Sequence, residues 1–187
     1  MSERIPVLSD ALFEVFGTAS WVLLPAGPAR GIASELEAEI LDEQFSWCEN
    51  PHLGEASGAL VLTAPMNGWM LLLGASETIG GTAALLSEQR DVFRAMIDVR
   101  LPAMSWAHLQ NGMPTRTVSV ELGDDGALVT RTAGDPLPFE ETELAVPTSS
   151  GGWESFFYPV AIVMEHGISL DALEEALDRP SVTLRIE

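Results

Sequence analysis

Three histidines, one cysteine and 28 carboxylates are the side chains of this 187-residue sequence that could do chemistry. His52, His108 and His166 are scattered and form no HExxH pair. His108 falls in a predicted strand, where a histidine is more often structural than a ligand. His166 stands beside Glu165, just ahead of a predicted helix. An acid next to an imidazole can serve general-base chemistry, but one such neighbour is common by chance. Cys48 follows Trp47 with no basic neighbour to lower its pKa, so it reads as a small packed residue and not as a nucleophile. Asp124-Asp125 lies between Gly123 and Gly126, which suits a tight turn; a calcium loop needs more regularly spaced oxygens. Glu140, Glu141 and Glu143 could gather a metal, but a solvated run or a contact surface accounts for them better. There is no glycine-rich phosphate loop, GxSxG elbow or CxxC pair. The expectation is a protein without catalytic residues, metal or cofactor.

The charge distribution is more informative. Nine arginines and no lysine face the 28 acids, for a net charge of −19. Residues 31–89 hold nine acids and no arginine, residues 132–178 hold ten acids and no arginine, and the remainder balances at nine of each. Such a chain does not bind nucleic acid through a basic surface. A soluble acidic protein from a high-GC or salt-adapted genome would look like this. So would an acidic face that docks onto a basic partner, with electrostatic steering raising the association rate. The candidate contact residues are Glu35, Glu39, Asp42 and Glu43 in the first stretch, and Glu140, Glu141, Glu143 and Trp153 in the second. Trp153 lies in a Gly-rich connection followed by Phe156, Phe157 and Tyr158, and aromatic residues of this kind anchor interfaces.

The elements that must position these groups can be read from periodicity. The N-terminal residues carry Glu3, Asp10 and Glu14 among the apolar ones and do not resemble a secretory signal. Residues 56–76 are uncharged over 21 positions, long enough for a membrane helix. Pro65, Asn67 and Gly68 interrupt them, however, and Asn-Gly between apolar runs signals a hairpin of Leu60 to Thr63 with Trp69 to Leu73. Ser9 caps a predicted helix over 10–17, and Trp21 to Leu24 reads as a strand. Ile32, Leu36, Ile40 and Leu41 fall on one face of a predicted helix over 31–43, flanked by its acids. A strand over Phe45 to Glu49 and a helix over 82–98 following Gly80-Gly81 are expected. Met104 to Leu109, Thr115 to Leu122 and Ala127 to Thr132 then form an antiparallel meander, with Thr117, Ser119 and Glu121 on its wet face. Residues 133–159 are a long connection. Tyr158 to Met164 fits strand or helix, Ser169 caps a helix that Pro180 ends, and Val182 to Ile186 closes the chain as a strand. The whole, residues 1–187, is expected to be a single α+β domain. Its antiparallel sheet has six to eight short strands with three to four helices, because the strands between 104 and 132 come too close together for crossover helices.

Within residues 106–141, Trp106, Gly112, Arg116, Gly123, Gly126, Gly134, Pro136 and Glu140 or Glu141 fall in an order that resembles small bacterial proteins of the polymorphic-toxin immunity type. Asn67, Gly68 and Trp69 after an apolar strand are similar to that group as well. The resemblance covers about a fifth of the chain. It implies a cytoplasmic protein that neutralises a toxin by binding it, without catalysis. The charge pattern independently points to an inhibitor occluding a basic toxin or effector, with no direct nucleic acid and no membrane among its partners; its oligomeric state is open. One alternative is a secretion chaperone or a DNA mimic that blocks a nucleic-acid enzyme. Another is a small enzyme or ligand-binding domain with a pocket near His166 or His108.

Overall fold

The computed structural model describes residues 9, 12, 16, 20–46, 58–98, 103–123, 126–141 and 158–186. Nine strands form one open sheet: β1 (Ser20–Pro25), β2 (Glu39–Phe45), β3 (Ala59–Leu62), β4 (Trp69–Gly74), β5 (Val92–Asp98), β6 (Ala103–Gln110), β7 (Met113–Leu122), β8 (Leu128–Ala133) and β9 (Ser181–Arg185). Their order is β2-β9-β3-β4-β1-β5-β6-β7-β8, and every neighbouring pair is antiparallel. Among the described residues four α-helices defined at both ends accompany it: α1 (Ala29–Glu35), α2 (Ser76–Leu86), α3 (Tyr158–Glu165) and α4 (Leu170–Asp178). The expected α+β class is present, with a strand count just above the expected range.

Two cores lie on opposite faces of the sheet. On the first face, Val160, Ile162 and Val163 of α3 and Leu173, Ala176 and Leu177 of α4 pack with Trp21, Leu23, Leu71, Leu73, Phe93, Trp106 and Val118. On the second, Ile32 and Ala33 of α1 and Ile79, Ala83 and Leu86 of α2 pack with Val22, Leu24, Leu60, Leu62, Met70 and Leu72. Strands β1, β3 and β4 are therefore dry on both sides, which requires unbroken apolar sequence where a one-sided strand would alternate. This explains the uncharged run at 56–76. Among the described residues no helix is long and apolar enough to cross a membrane. The second core reaches Ala107 and Leu109 of β6 but takes no residue from β7 or β8. Accordingly β7 does alternate, with Arg116, Val118 and Val120 buried and Thr117 and Ser119 half-buried.

Turn chemistry behaves as the sequence demands. Asn67-Gly68 (φ 46° and 82°) and Asn111-Gly112 (φ 51° and 77°) both occupy the left-handed region that a two-residue hairpin requires. The Ser9 hydroxyl accepts the Leu12 N–H at 3.4 Å, as a helix cap does, though most of the expected 10–17 helix lies outside the described residues. Ser169 accepts the Ala172 N–H at 3.2 Å and starts α4. The apolar run from Tyr158 is helical, and the closing strand is present.

Two helix assignments are overturned. The expected helix over 31–43 is α1 followed by strand β2. Helix α1 ends in a paired cap, with Ala38 N–H to Ala33 O at 2.9 Å and Glu37 N–H to Ser34 O at 3.3 Å, which turns Glu37 left-handed at φ 52°. Ile40 still packs on the same core as Ile32 and Leu36, but it does so from a strand paired to β9. The expected strand over 45–49 therefore begins earlier, and residues 47–49 lie outside the description. The expected helix over 82–98 is the end of α2, which contains Gly80 and Gly81, followed by β5. Phe93 and Ala95 point to the first core and Val92 to the second, so apolar residues on both faces mimicked a helical stripe.

Gly134, just beyond β8, crosses the backbone of Thr115 at φ 81°. A Cβ there would stand 1.9 Å from the Thr115 carbonyl oxygen. Gly134→Ala is expected to cost at least about 2 kcal/mol, read as a lowered midpoint in urea unfolding.

Candidate functional site

The first acidic stretch meets solvent at the β2 edge of the sheet. Six consecutive β2 residues are at least half-open, five of them exposed: Glu39, Leu41, Asp42, Glu43 and Gln44. Both strand faces are thus uncovered here. Glu39 is exposed opposite Arg185 of β9. Asp42 sits between two register shifts, its Oδ1 accepting the Gln44 N–H at 2.8 Å while its carbonyl accepts the Thr183 hydroxyl at 3.4 Å. Glu43 has Arg30 at 3.6 Å, an open pair with side chains 55% and 84% exposed, and such pairs contribute little. Glu37, in the turn before the strand, is exposed as well. Sequence reasoning named three of these acids correctly as surface groups but placed them on a helix; they lie along a bulged edge strand.

The remaining expected contact residues divide. Glu35 is engaged internally, its two oxygens accepting from Arg90 Nη2 in a partly buried pair. Glu140 is not a surface group at all. Its side chain is 3% exposed, and it forms a two-pronged pair with Arg116, Oε1 to Nε at 3.0 Å and Oε2 to Nη2 at 2.6 Å. Arg116 Nη1 also donates to the Gly134 carbonyl at 2.8 Å, and the Leu137 N–H donates to Glu140 Oε1 at 2.8 Å. The short 3-10 turn Pro138–Glu141 brings Glu140 back over β7 to make this contact. The burial that sequence reasoning missed has a sequence signal: Arg116 stands on the apolar face of an alternating strand, where a guanidinium needs a partner. The side chain of Glu141, together with Glu143, Trp153, Cys48, His52 and Asp124-Asp125, lies outside the described residues.

The structure brings two of the histidines together. His108 of β6 stacks on Phe93 at 4.7 Å between ring centroids, and His166 meets the same ring edge-on at 4.7 Å. Trp69 closes on His166 at 4.6 Å, and Phe139 lies 6.1 Å from Phe93. His166 Nδ1 donates to the Ile162 carbonyl at 2.7 Å, and His108 Nδ1 shares a 3.0 Å hydrogen bond with the Thr115 hydroxyl. Asp91 is 3.9 Å from His108 Nε2. Burial pushes the His108 pKa below its ordinary 6.5; Asp91 pulls it back up, and His166 adds to the depression. Glu165, the acid next to His166 in sequence, is exposed at the end of α3. Among the described residues no group of three or more metal-ligating side chains assembles.

One cation was not singled out in the sequence. Arg94, the third residue of β5, has its Nε buried with no hydrogen-bond partner, and burial lowers its pKa. The signal available was an arginine inside the apolar run Val92 to Met96. Compared with known protein families, with characterised proteins and with solved structures, the chain matches none.

Glu140→Gln strands the Arg116 charge in the core and is expected to cost about 3–5 kcal/mol by urea unfolding, as breakage of a buried pair does. For His108 the sign follows from its lowered pKa. The unfolded chain takes up the proton near pH 6.5, whereas the folded chain takes it up only at lower pH, so stability falls as pH drops through that window. His108→Phe keeps a ring against Phe93 and is expected to flatten the dependence of Tm on pH between about pH 7 and 5.

Proposed function

We propose that this chain is a non-enzymatic binding protein of the bacterial cytoplasm that holds a basic protein partner against its acidic β2 edge, in the manner of an immunity-type inhibitor. The observation that carries this reading is the β2 edge itself. Glu39, Asp42 and Glu43 are exposed along one strand, and Arg30 is the only cation in salt-bridge contact with them among the described residues. The register shifts on either side of Asp42 interrupt the regular hydrogen-bonding edge that another strand would need. Side-chain charge, and not strand addition, is then the means of docking. The partner contributes Arg or Lys, and its active surface is occluded. The order of residues in 106–141 supports the same reading by resemblance. Glu140 has no part in the contact, because it is consumed by Arg116.

The test pairs the purified protein with basic products of neighbouring open reading frames and measures affinity at low and high salt. Reversal of Glu39, Asp42 and Glu43 to Arg together is expected to weaken binding by at least about tenfold, mainly by slowing association, and added salt to weaken the unmodified complex in parallel. Binding that is indifferent both to the reversal and to salt would overturn the reading.

A further inference from the structure

Phe93 stands directly opposite His108 in the pairing of β5 with β6, and the two rings stack at 4.7 Å. His166, one residue beyond α3, meets the same phenylalanine edge-on at 4.7 Å and Trp69 at 4.6 Å. Its Nδ1 donates to the Ile162 carbonyl at 2.7 Å, so Nε2 is the nitrogen left to take a proton. The turn that follows is tied to the tip of the β3–β4 hairpin. Asn67 Nδ2 donates to the carbonyls of His166 at 3.4 Å and Gly167 at 3.2 Å. Both bonds are long and lie at the surface, so they hold weakly. Gly167 is left-handed at φ 75°, and a Cβ there would stand 2.6 Å from Asn67 Nδ2.

Charges approach this cluster from several elements. Asp91, just ahead of β5, lies 3.9 Å from His108 Nε2. Strand β7 places Arg116 opposite His108, and Glu140 neutralises it. Glu165 is exposed beside His166 at the end of α3. Arg179, just beyond α4, donates to the Pro65 carbonyl at 2.9 Å, close in sequence to the hairpin tip. The His108 side chain is 11% exposed. Burial opposes its proton most, Asp91 favours it, and His166 opposes it. If the end of α3 moves off Phe93, His166 and part of that burial go with it, while Asp91 stays with the sheet. What the motion removes are the influences that oppose a proton on His108. The open form then binds the proton near the ordinary 6.5 and the closed form only at lower pH, so opening increases as pH falls through that window.

We propose that His108, Phe93 and His166 form an acid-operated latch: with both imidazoles neutral the end of α3 is held against the sheet, and protonation of His108 releases His166 and Gly167 from Phe93 and Asn67 while both cores stay closed. Two imidazolium rings on one phenylalanine repel across an enclosed contact, where little water screens them. The release gives up ring contacts and two surface hydrogen bonds. Ile162 and Val163 before it and Ile168 after it remain in the core that buries them. In acid the latch offers the edges of Trp69 and Phe93 that neutral pH covers. It does not depend on what the β2 edge binds.

The test is hydrogen exchange on the full chain, followed by NMR between about pH 7 and 5 and expressed as protection factors. The amides to read are those of His166 and Gly167, which donate to Val163 O at 3.2 Å and Met164 O at 2.9 Å. Their protection is expected to fall about tenfold across this range, with the midpoint at which the His108 ring signals titrate. The indole N–H signal of Trp69 is expected to move with the same midpoint. Exchange at His166 and Gly167 is expected to ignore low urea, as a small opening does, whereas exchange at Val22 and Leu72 rises steeply with it. His108→Phe keeps a ring on Phe93 and is expected to abolish the fall. His166→Gln retains a donor for the Ile162 carbonyl but takes no charge, and it is expected to shrink the fall and raise the His108 midpoint. If His108→Phe does not fold, the midpoint in His166→Gln decides alone. Protection that does not change with pH, that shares the urea dependence of Val22 and Leu72, or that still falls in His108→Phe would overturn the latch. So would a His108 midpoint unmoved in His166→Gln.

Discussion

The strands at the middle of the sheet are closed off from water on both faces, and most of the architecture follows from that constraint. Each backbone N–H and C=O of β1 and β4 must find its partner inside the sheet, because no solvent is available to substitute. The strands are consequently long enough to pair throughout, and Trp21, Leu72 and their neighbours are fully buried. Two separate cores are required, and helices cover each. The helices on the second face do not extend over β7 and β8, so the sheet is thick at its centre and thin toward one end. The half-covered end holds the alternating strand β7, whose Arg116 faces inward.

Some of the arginines are drawn into this frame. Of the nine arginines, Arg116 is enclosed with Glu140, Arg90 is partly enclosed with Glu35, and Arg94 is partly enclosed on its own. Other acids are exposed: Glu39, Asp42 and Glu43 on the β2 edge, and Asp171 and Glu175 on α4. Arg30, Arg131, Arg179 and Arg185 are exposed, so the surface carries both signs with acids in excess.

Much of the fold was legible because it rests on local chemistry. Both Asn-Gly hairpins, the meander from β6 to β8, the Ser169 cap and the final strand are set by turn residues and alternation that act over a few positions. In Val92 to Met96, apolar residues needed on both faces fell by coincidence on a helical stripe. In Ile32 to Leu41, Ile32, Leu36 and Ile40 serve one core but come from a helix and then a strand, and only the pairing of β2 to β9 decides the matter. The same limit applied to the site. That Glu39, Asp42 and Glu43 would be exposed was readable from their charge. That Glu140 would be buried depended on Arg116, 24 residues away, and on a turn that folds back across β7. His108 meets Phe93 across the β5–β6 pairing, but His166 reaches the same ring from the distant end of α3, and no spacing encodes that.

Arg116, Gly134 and Glu140 also carry a consequence for descent. The guanidinium needs the carboxylate to be tolerated in the core, the carboxylate needs the turn that presents it, and the chain reaches that turn only by passing against Thr115 where no side chain fits. Replacing any one alone leaves the others as liabilities, so the three are expected to be inherited as a block and to be lost as a block. Kinship seen at these positions is therefore a record of shared scaffold. Divergence of activity among relatives would be written elsewhere, in exposed strands such as β2 that no such interlock restrains.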